Sequence, residues 1–271
     1  MKYRMVGIVL LCFTWQAAWG IAPISIAVSI PPQIEFVKEI GKGYVDVFCL
    51  LPPGASDELF EPSVLQLKKM SKAQLYFEIG TLPLETHYRP TWRSLNPKLR
   101  IIDTSLKVPR LKDDPHLWMS PRRVQIQVET ITQALIDVDP IHRAFYLHNK
   151  ANYLKKLRDL DSHITARLSG NTPKAFLIFH PVLGYFSDDY GLTQMAIEEE
   201  GKSPTPRQLN AVLKRARHDH ITLVLVEKQS GTELASTVVE AIQGRLLVFD
   251  PMDKDYCQGL EKLSRLFRGQ Y

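Results

Sequence analysis

Residues 139–168 read DPIHRAFYLHNKANYLKKLRDLDSHITARL. Asp139-Pro140 is an N-cap followed by a first-turn proline, and from there to Leu168 there is no glycine and no further proline. Apolar residues recur at Ile141, Ala144/Phe145, Leu147, Ala151, Leu154, Leu157, Leu160, Ile164 and Leu168, one stripe at helical spacing. At 1.5 Å per residue such a helix is roughly 43 Å long, enough to cross a whole domain. Ser169-Gly170-Asn171 stops it.

Both flanks of this helix alternate strand and helix. On the N-terminal side, apolar β-branched runs at 24–29, 44–51, 73–79 and 99–102 are separated by helical patterns at 33–40, from Ser63, and at 83–92, with another at 121–138. On the C-terminal side, strands at 174–180, 193–198, 221–227 and 245–249 alternate with helical stretches within 181–190, at 206–218 and 232–242, and a terminal helix to about 267. Such alternation predicts an α/β fold of two lobes with mostly parallel sheets, joined by one long connecting α-helix. The expected divisions are 1–20, a signal peptide; 21–138, an N-terminal lobe; 139–170, the connector; and 171–271, a C-terminal lobe. A helical connector is stiff, so motion between the lobes should be small.

The first twenty residues stand apart from both cores. Lys2 and Arg4 precede an apolar run from Met5 to Trp15, and Ala18-Trp19-Gly20 supplies small residues for cleavage near Gly20. The run is shorter than the about 20 residues a membrane span needs; a retained anchor is the alternative. Export in soluble form to a periplasm is the expectation. Loss of Lys2 and Arg4 lowers the formal charge from +5 to +3, too small and too scattered an excess to point to nucleic acid. A monomer is expected. Cys49 and Cys257 could pair in an oxidising compartment. A bridge between opposite halves would hinder relative movement, so free thiols are the preferred reading.

Ligands of open α/β sheets bind beyond the carboxyl ends of strands. Beyond strand 44–51 lie Asp57, Glu58 and Glu61; beyond 99–102 lies His116, in Asp114-Pro115-His116-Leu117-Trp118-Met119-Ser120-Pro121; His180 ends strand 174–180, and Asp250 ends 245–249. Two imidazoles and two carboxylates, two from each lobe, suit a divalent transition metal. A plainer reading makes His116 and His180 hydrogen-bonded loop histidines and Asp250 a turn residue. His142, His148 and His163 belong to the long helix, His87 to another, and His218-Asp219-His220 reads as a surface cluster.

Five motifs in order resemble the metal-binding receptors of bacterial ABC importers for zinc and manganese. They are Pro53-Gly54-Ala55-Ser56-Asp57-Glu58-Leu59-Phe60-Glu61-Pro62; Asp114 to Trp118; His180 to Phe186 with Tyr190-Gly191-Leu192; Ile197 to Lys202 with Pro204 and Pro206; and Phe249-Asp250-Pro251-Met252. The resemblance implies a metal at the cleft and carries the ligand role onto His116, His180 and Asp250. The family has proline then histidine where this chain has Asp57 and Glu58, so Glu58 stands at the histidine position as an oxygen donor. The acidic, histidine-rich loop of zinc-specific members is missing. Either Glu58 completes four ligands, or three ligands and a water hold the ion. The Glu198–Lys202 run favours Zn2+ over Mn2+, whereas a carboxylate-rich shell accommodates both. The implied partners are the divalent ion and an ABC membrane permease, with Glu227 a candidate for orienting ligands. The competing class is an exported metal-dependent hydrolase with a three-ligand zinc site. Against it, the chain has no His-Glu-x-x-His helix and no nucleophile elbow.

Overall fold

A computed structural model of the chain describes residues 22–52, 60–111, 114–170, 172–198, 204–228 and 233–269. The signal segment, Asp57 and Glu58, and Glu199 to Lys202 of the fourth motif lie outside the described residues. Among the described residues no helix is long and apolar enough to cross a membrane.

The N-terminal lobe runs β1 (Ile24–Val28), α1 (Pro32–Gly41), β2 (Val45–Cys49), α2 (Val64–Met70), β3 (Leu75–Glu78), α3 (Pro83–Leu95), β4 (Arg100–Asp103) and α4 (Pro121–Val138). After the connector α5 (Arg143–Leu168), the second lobe runs β5 (Ala175–Ile178), α6 (Gly184–Tyr190), β6 (Thr193–Ala196), α7 (Pro206–His218), β7 (Leu223–Glu227), α8 (Glu233–Ile242), β8 (Arg245–Phe249) and α9 (Tyr256–Phe267). Every strand pairing is parallel, and the two sheets repeat one order: β2-β1-β3-β4 and β6-β5-β7-β8. In each, the order reverses beside the first strand, which opens a crevice at the carboxyl edge. The expected two-lobed fold is the one observed.

Local chemistry sets the helix starts. Ser63 and Thr205 each close a capping box with a glutamine three residues on. Ser120 caps α4 by accepting from the Arg123 N–H at 3.0 Å, with Pro121 at the first helical position. Asp139 does not cap α5. Its carboxylate instead accepts from the Tyr146 hydroxyl at 2.6 Å and pairs with His142 Nδ1 at 2.6 Å, and the chain makes a 3-10 turn over Pro140–His142 before α5 begins.

The buried face of α5 is Tyr146, Asn149, Tyr153, Leu157, Leu160, Ile164 and Leu168. The predicted stripe holds over the C-terminal half and fails over the first half, where Ile141 is 76% exposed and Ala144 and Ala151 face solvent. Tyrosine and asparagine win there because their polar tips find partners inside. Asn149 donates to the Ile40 carbonyl at 2.9 Å and Tyr153 to Glu35 at 3.4 Å. Through this face α5 packs on α1 and α4 of one lobe and on α9 of the other. One apolar core runs from Ile26 and Phe77 through Leu157 to Phe176 and Phe267, while a smaller one fills the outer side of the second sheet.

Cys49 and Cys257 are both thiols, one half-buried and one buried. Burial pushes the Cys49 thiol up to about 12 and the Cys257 thiol up as well, which keeps both in the unreactive protonated form.

Candidate metal centre

Three of the four candidate ligands follow strands at the carboxyl edges of the sheets: His116 after β4, His180 after β5 and Asp250 after β8. His116 sits where the loop after β4 turns into a 3-10 segment, Leu117–Met119, whose last N–H returns to the His116 carbonyl at 3.0 Å. Asp114 orients it. One carboxylate oxygen accepts from the His116 backbone N–H at 2.9 Å and lies 2.7 Å from its Nδ1. With Nδ1 engaged, Nε2 is the nitrogen left for an ion, the arrangement by which outer carboxylates orient ligating histidines. Thr81 steadies the same loop by donating to the Pro115 carbonyl at 3.3 Å. The imidazole is buried at 5% exposure.

His180 lies two residues past β5, and its carbonyl accepts from Val182 N–H at 2.8 Å. Its ring comes to 5.2 Å from the His116 ring, centroid to centroid, with the planes at 84°. Two imidazoles from sequence-distant loops of different lobes therefore meet edge to face. Asp250 turns the chain after β8 by accepting from Met252 N–H at 2.9 Å. Glu227 ends β7 in register with Phe249, next to Asp250 in the chain. Among the described residues no third His, Cys, Asp or Glu joins the pair to form a group able to hold a metal. Glu58 lies outside the described residues; Glu61 is exposed just ahead of α2.

Of the remaining histidines, His142 lies in the 3-10 turn before α5 and not in the long helix expected for it, and the others lie on the elements expected. His142 stacks on Tyr44 at 3.8 Å, His148 contacts Asn152 Nδ2 at 3.1 Å, His163 and His87 are exposed, and His218 pairs with Asp219 at 2.8 Å.

The model of the family described as ZnuA, zinc-uptake complex component A, periplasmic, matches residues 26–266. The chain belongs to this family. Among relatives, a putative metal-binding protein of Chlamydia trachomatis serovar D is 25% identical over 253 residues, covering 89% of this chain and 90% of its own. The zinc-binding protein AdcA of Streptococcus pyogenes serotype M1 is 25% identical over 285 residues, covering 92% of this chain and 55% of AdcA. The chain thus spans about half the length of AdcA. A crystal structure of ZnuA superposes with a TM-score of 0.88 at 30% identity, over 92% of this chain and 99% of that one. A ZnuA deletion variant with zinc bound does so at 0.87 and 30%, over 92% and 98%.

Three features of the site escape a reading of strand ends: the Asp114–His116 pairing, the Thr81 contact and a bond from the Trp118 indole to the Pro251 carbonyl at 2.9 Å. Only the first left a trace in the sequence, as an aspartate two residues before the histidine.

Proposed function

We propose that this exported chain captures Zn2+, with Mn2+ as the lesser cargo, and delivers it in the periplasm to the membrane permease of an ABC importer. Glu58 and His116 from the first lobe and His180 and Asp250 from the second would hold the ion, with Glu227 orienting them from behind. The division into a signal peptide ending near Gly20, lobes at 21–138 and 171–271 and a connector at 139–170 belongs to the same reading. So does action as a monomer that binds rather than transforms its cargo.

The observation that carries it is the 5.2 Å approach of two imidazoles supplied by different lobes, one with its Nδ1 already held by a carboxylate. Nitrogen donors favour zinc, and the carboxylates keep manganese within reach. The relatives AdcA and ZnuA support the same choice, since one is named a zinc-binding protein and the other has been crystallised with zinc. Because ligands from both lobes meet at the ion, loading stabilises one arrangement of the loops, and a permease responds to that difference alone.

The test is competition of the purified mature chain with chelators of known affinity for Zn2+ and Mn2+, repeated for His116→Ala and His180→Ala. Each variant should lose more than the roughly 10–100-fold that loss of an outer partner costs. Binding should also weaken in acid, since protons compete with the ion for its ligands. Unchanged affinity in both variants would remove the proposal.

A further inference from the structure

We infer that Trp118 and Asp189 are positioning residues for metal capture. Trp118 ties the turn that carries His116 to the Asp250 turn of the opposite lobe, and Asp189 ties it to α6, the helix that follows the His180 loop. The inference rests on the metal-capture reading and names how the ligand set is kept in register.

Trp118 lies two residues beyond His116, fully buried, with its ring 5.3 Å from the imidazole. Its indole N–H donates to the carbonyl of Pro251, the residue after Asp250, at 2.9 Å. The 3-10 turn of the first lobe is therefore bonded to the turn that presents Asp250 from the second.

A second tie reaches α6, which leaves the His180 loop. The Ser120 hydroxyl caps α4 and also donates to Asp189 at 2.5 Å. Arg123 forms an ion pair with Asp189, bonds Asp188 at 2.5 Å and lies over the Tyr185 ring at 5.1 Å. The Asp189 side chain is 2% exposed, so solvent does little to screen its own contacts with Ser120 and Arg123. From the other end of α6, the Tyr185 hydroxyl accepts from Leu111 N–H at 3.0 Å and donates to the Asp114 carbonyl at 3.2 Å. Gly184 admits the Asp114 carboxylate so closely that an added Cβ would lie 2.0 Å from its Oδ2.

A metal site tolerates ligand displacements of only about 0.5 Å. The loop between β4 and His116 is long, and the cross-lobe ties hold its end within that tolerance. A displacement of the His116 turn is passed through Trp118 to the Asp250 turn and through Asp189 to α6.

Trp118→Phe keeps most of the ring and removes the donor; Asp189→Asn keeps the shape and removes the charge. Three quantities are measured for each: Zn2+ affinity by chelator competition, the visible absorption of the Co2+-loaded protein, and the melting temperature without metal. A positioning role predicts roughly 10–100-fold weaker Zn2+ binding and shifted Co2+ bands in both variants. A merely structural role lowers the melting temperature and leaves affinity and Co2+ bands at wild-type values, and that result would overturn the inference. If Trp118→Phe does not fold, Asp189→Asn decides by the same comparison. Wild-type protein that binds no Zn2+, or a His116→Ala variant that binds as well as wild type, defeats the metal-capture reading itself. Loss of binding in His116→Ala together with unaltered Trp118→Phe and Asp189→Asn defeats only the positioning role.

Discussion

His116 is oriented by a carboxylate two positions away in the chain, so part of its geometry is local. Glu85 is the opposite case. It sits in the first turn of α3 yet is completely buried, accepting from the backbone N–H groups of Ile79 and Gly80, both at 2.7 Å, and of Leu82 at 3.3 Å, and from the Ser29 hydroxyl. It thereby shapes the loop whose Thr81 holds Pro115 next to His116. Burial pushes its carboxyl up from 4.5 to about 7, with the neighbouring Glu78 adding to the rise and the donors opposing it. A raised folded-state value means that between 4.5 and 7 the folded chain keeps a proton the unfolded chain releases. This group's contribution is therefore fully present below 4.5 and is lost as the pH rises to 7. Glu85→Gln should flatten that part of the stability profile in urea titrations run across the window; a slope identical to wild type would count against the assignment.

At the scale of the element, α5 is a shared wall more than a linker. Leu157 is fully buried on the face that meets α1 and α4 on one side and α9 on the other. Leu157→Ala should cost about 2–5 kcal/mol, the usual range for emptying a leucine site in a core that cannot collapse. Denaturant titration measures it, and a loss under about 1 kcal/mol would mean that the helix is loosely packed. The polar members of the same face explain why apolar periodicity locates its C-terminal half and misplaces the first. Tyr146, Asn149 and Tyr153 bury their bodies while their tips bond Asp139, Ile40 and Glu35.

At the scale of the molecule, the two lobes share one continuous core and a bonded seam that includes Trp118–Pro251, Arg123–Asp189 and Tyr185–Asp114. They should unfold together. Trp92 and Trp118, the tryptophans beyond the signal segment, both lie in the first lobe, whereas helices are spread over both. Tryptophan fluorescence and far-ultraviolet circular dichroism should therefore give the same unfolding midpoint. A fluorescence transition clearly separated from the dichroism one would show that the lobes are independent units.

Strand and helix positions were legible in the chain because they depend on neighbours within a turn or two, whereas the cap expected at Asp139 is not formed. β-Branched runs, Ser63 and Thr205 with their glutamines, Ser120-Pro121 and the uninterrupted stretch to Leu168 each act over a few residues. The rule that ligands gather beyond strand ends then pointed to His116, His180 and Asp250 as candidates, and the family motifs set His116 and His180 apart from the other histidines. Only the tertiary structure decided that the His116 and His180 rings lie 5.2 Å apart, that the Trp118 indole reaches Pro251, and that Glu85 turns inward to the loop of Thr81. These contacts join residues far apart in sequence, and their lengths follow from how two sheets and one long helix pack. No periodicity along the chain records that packing.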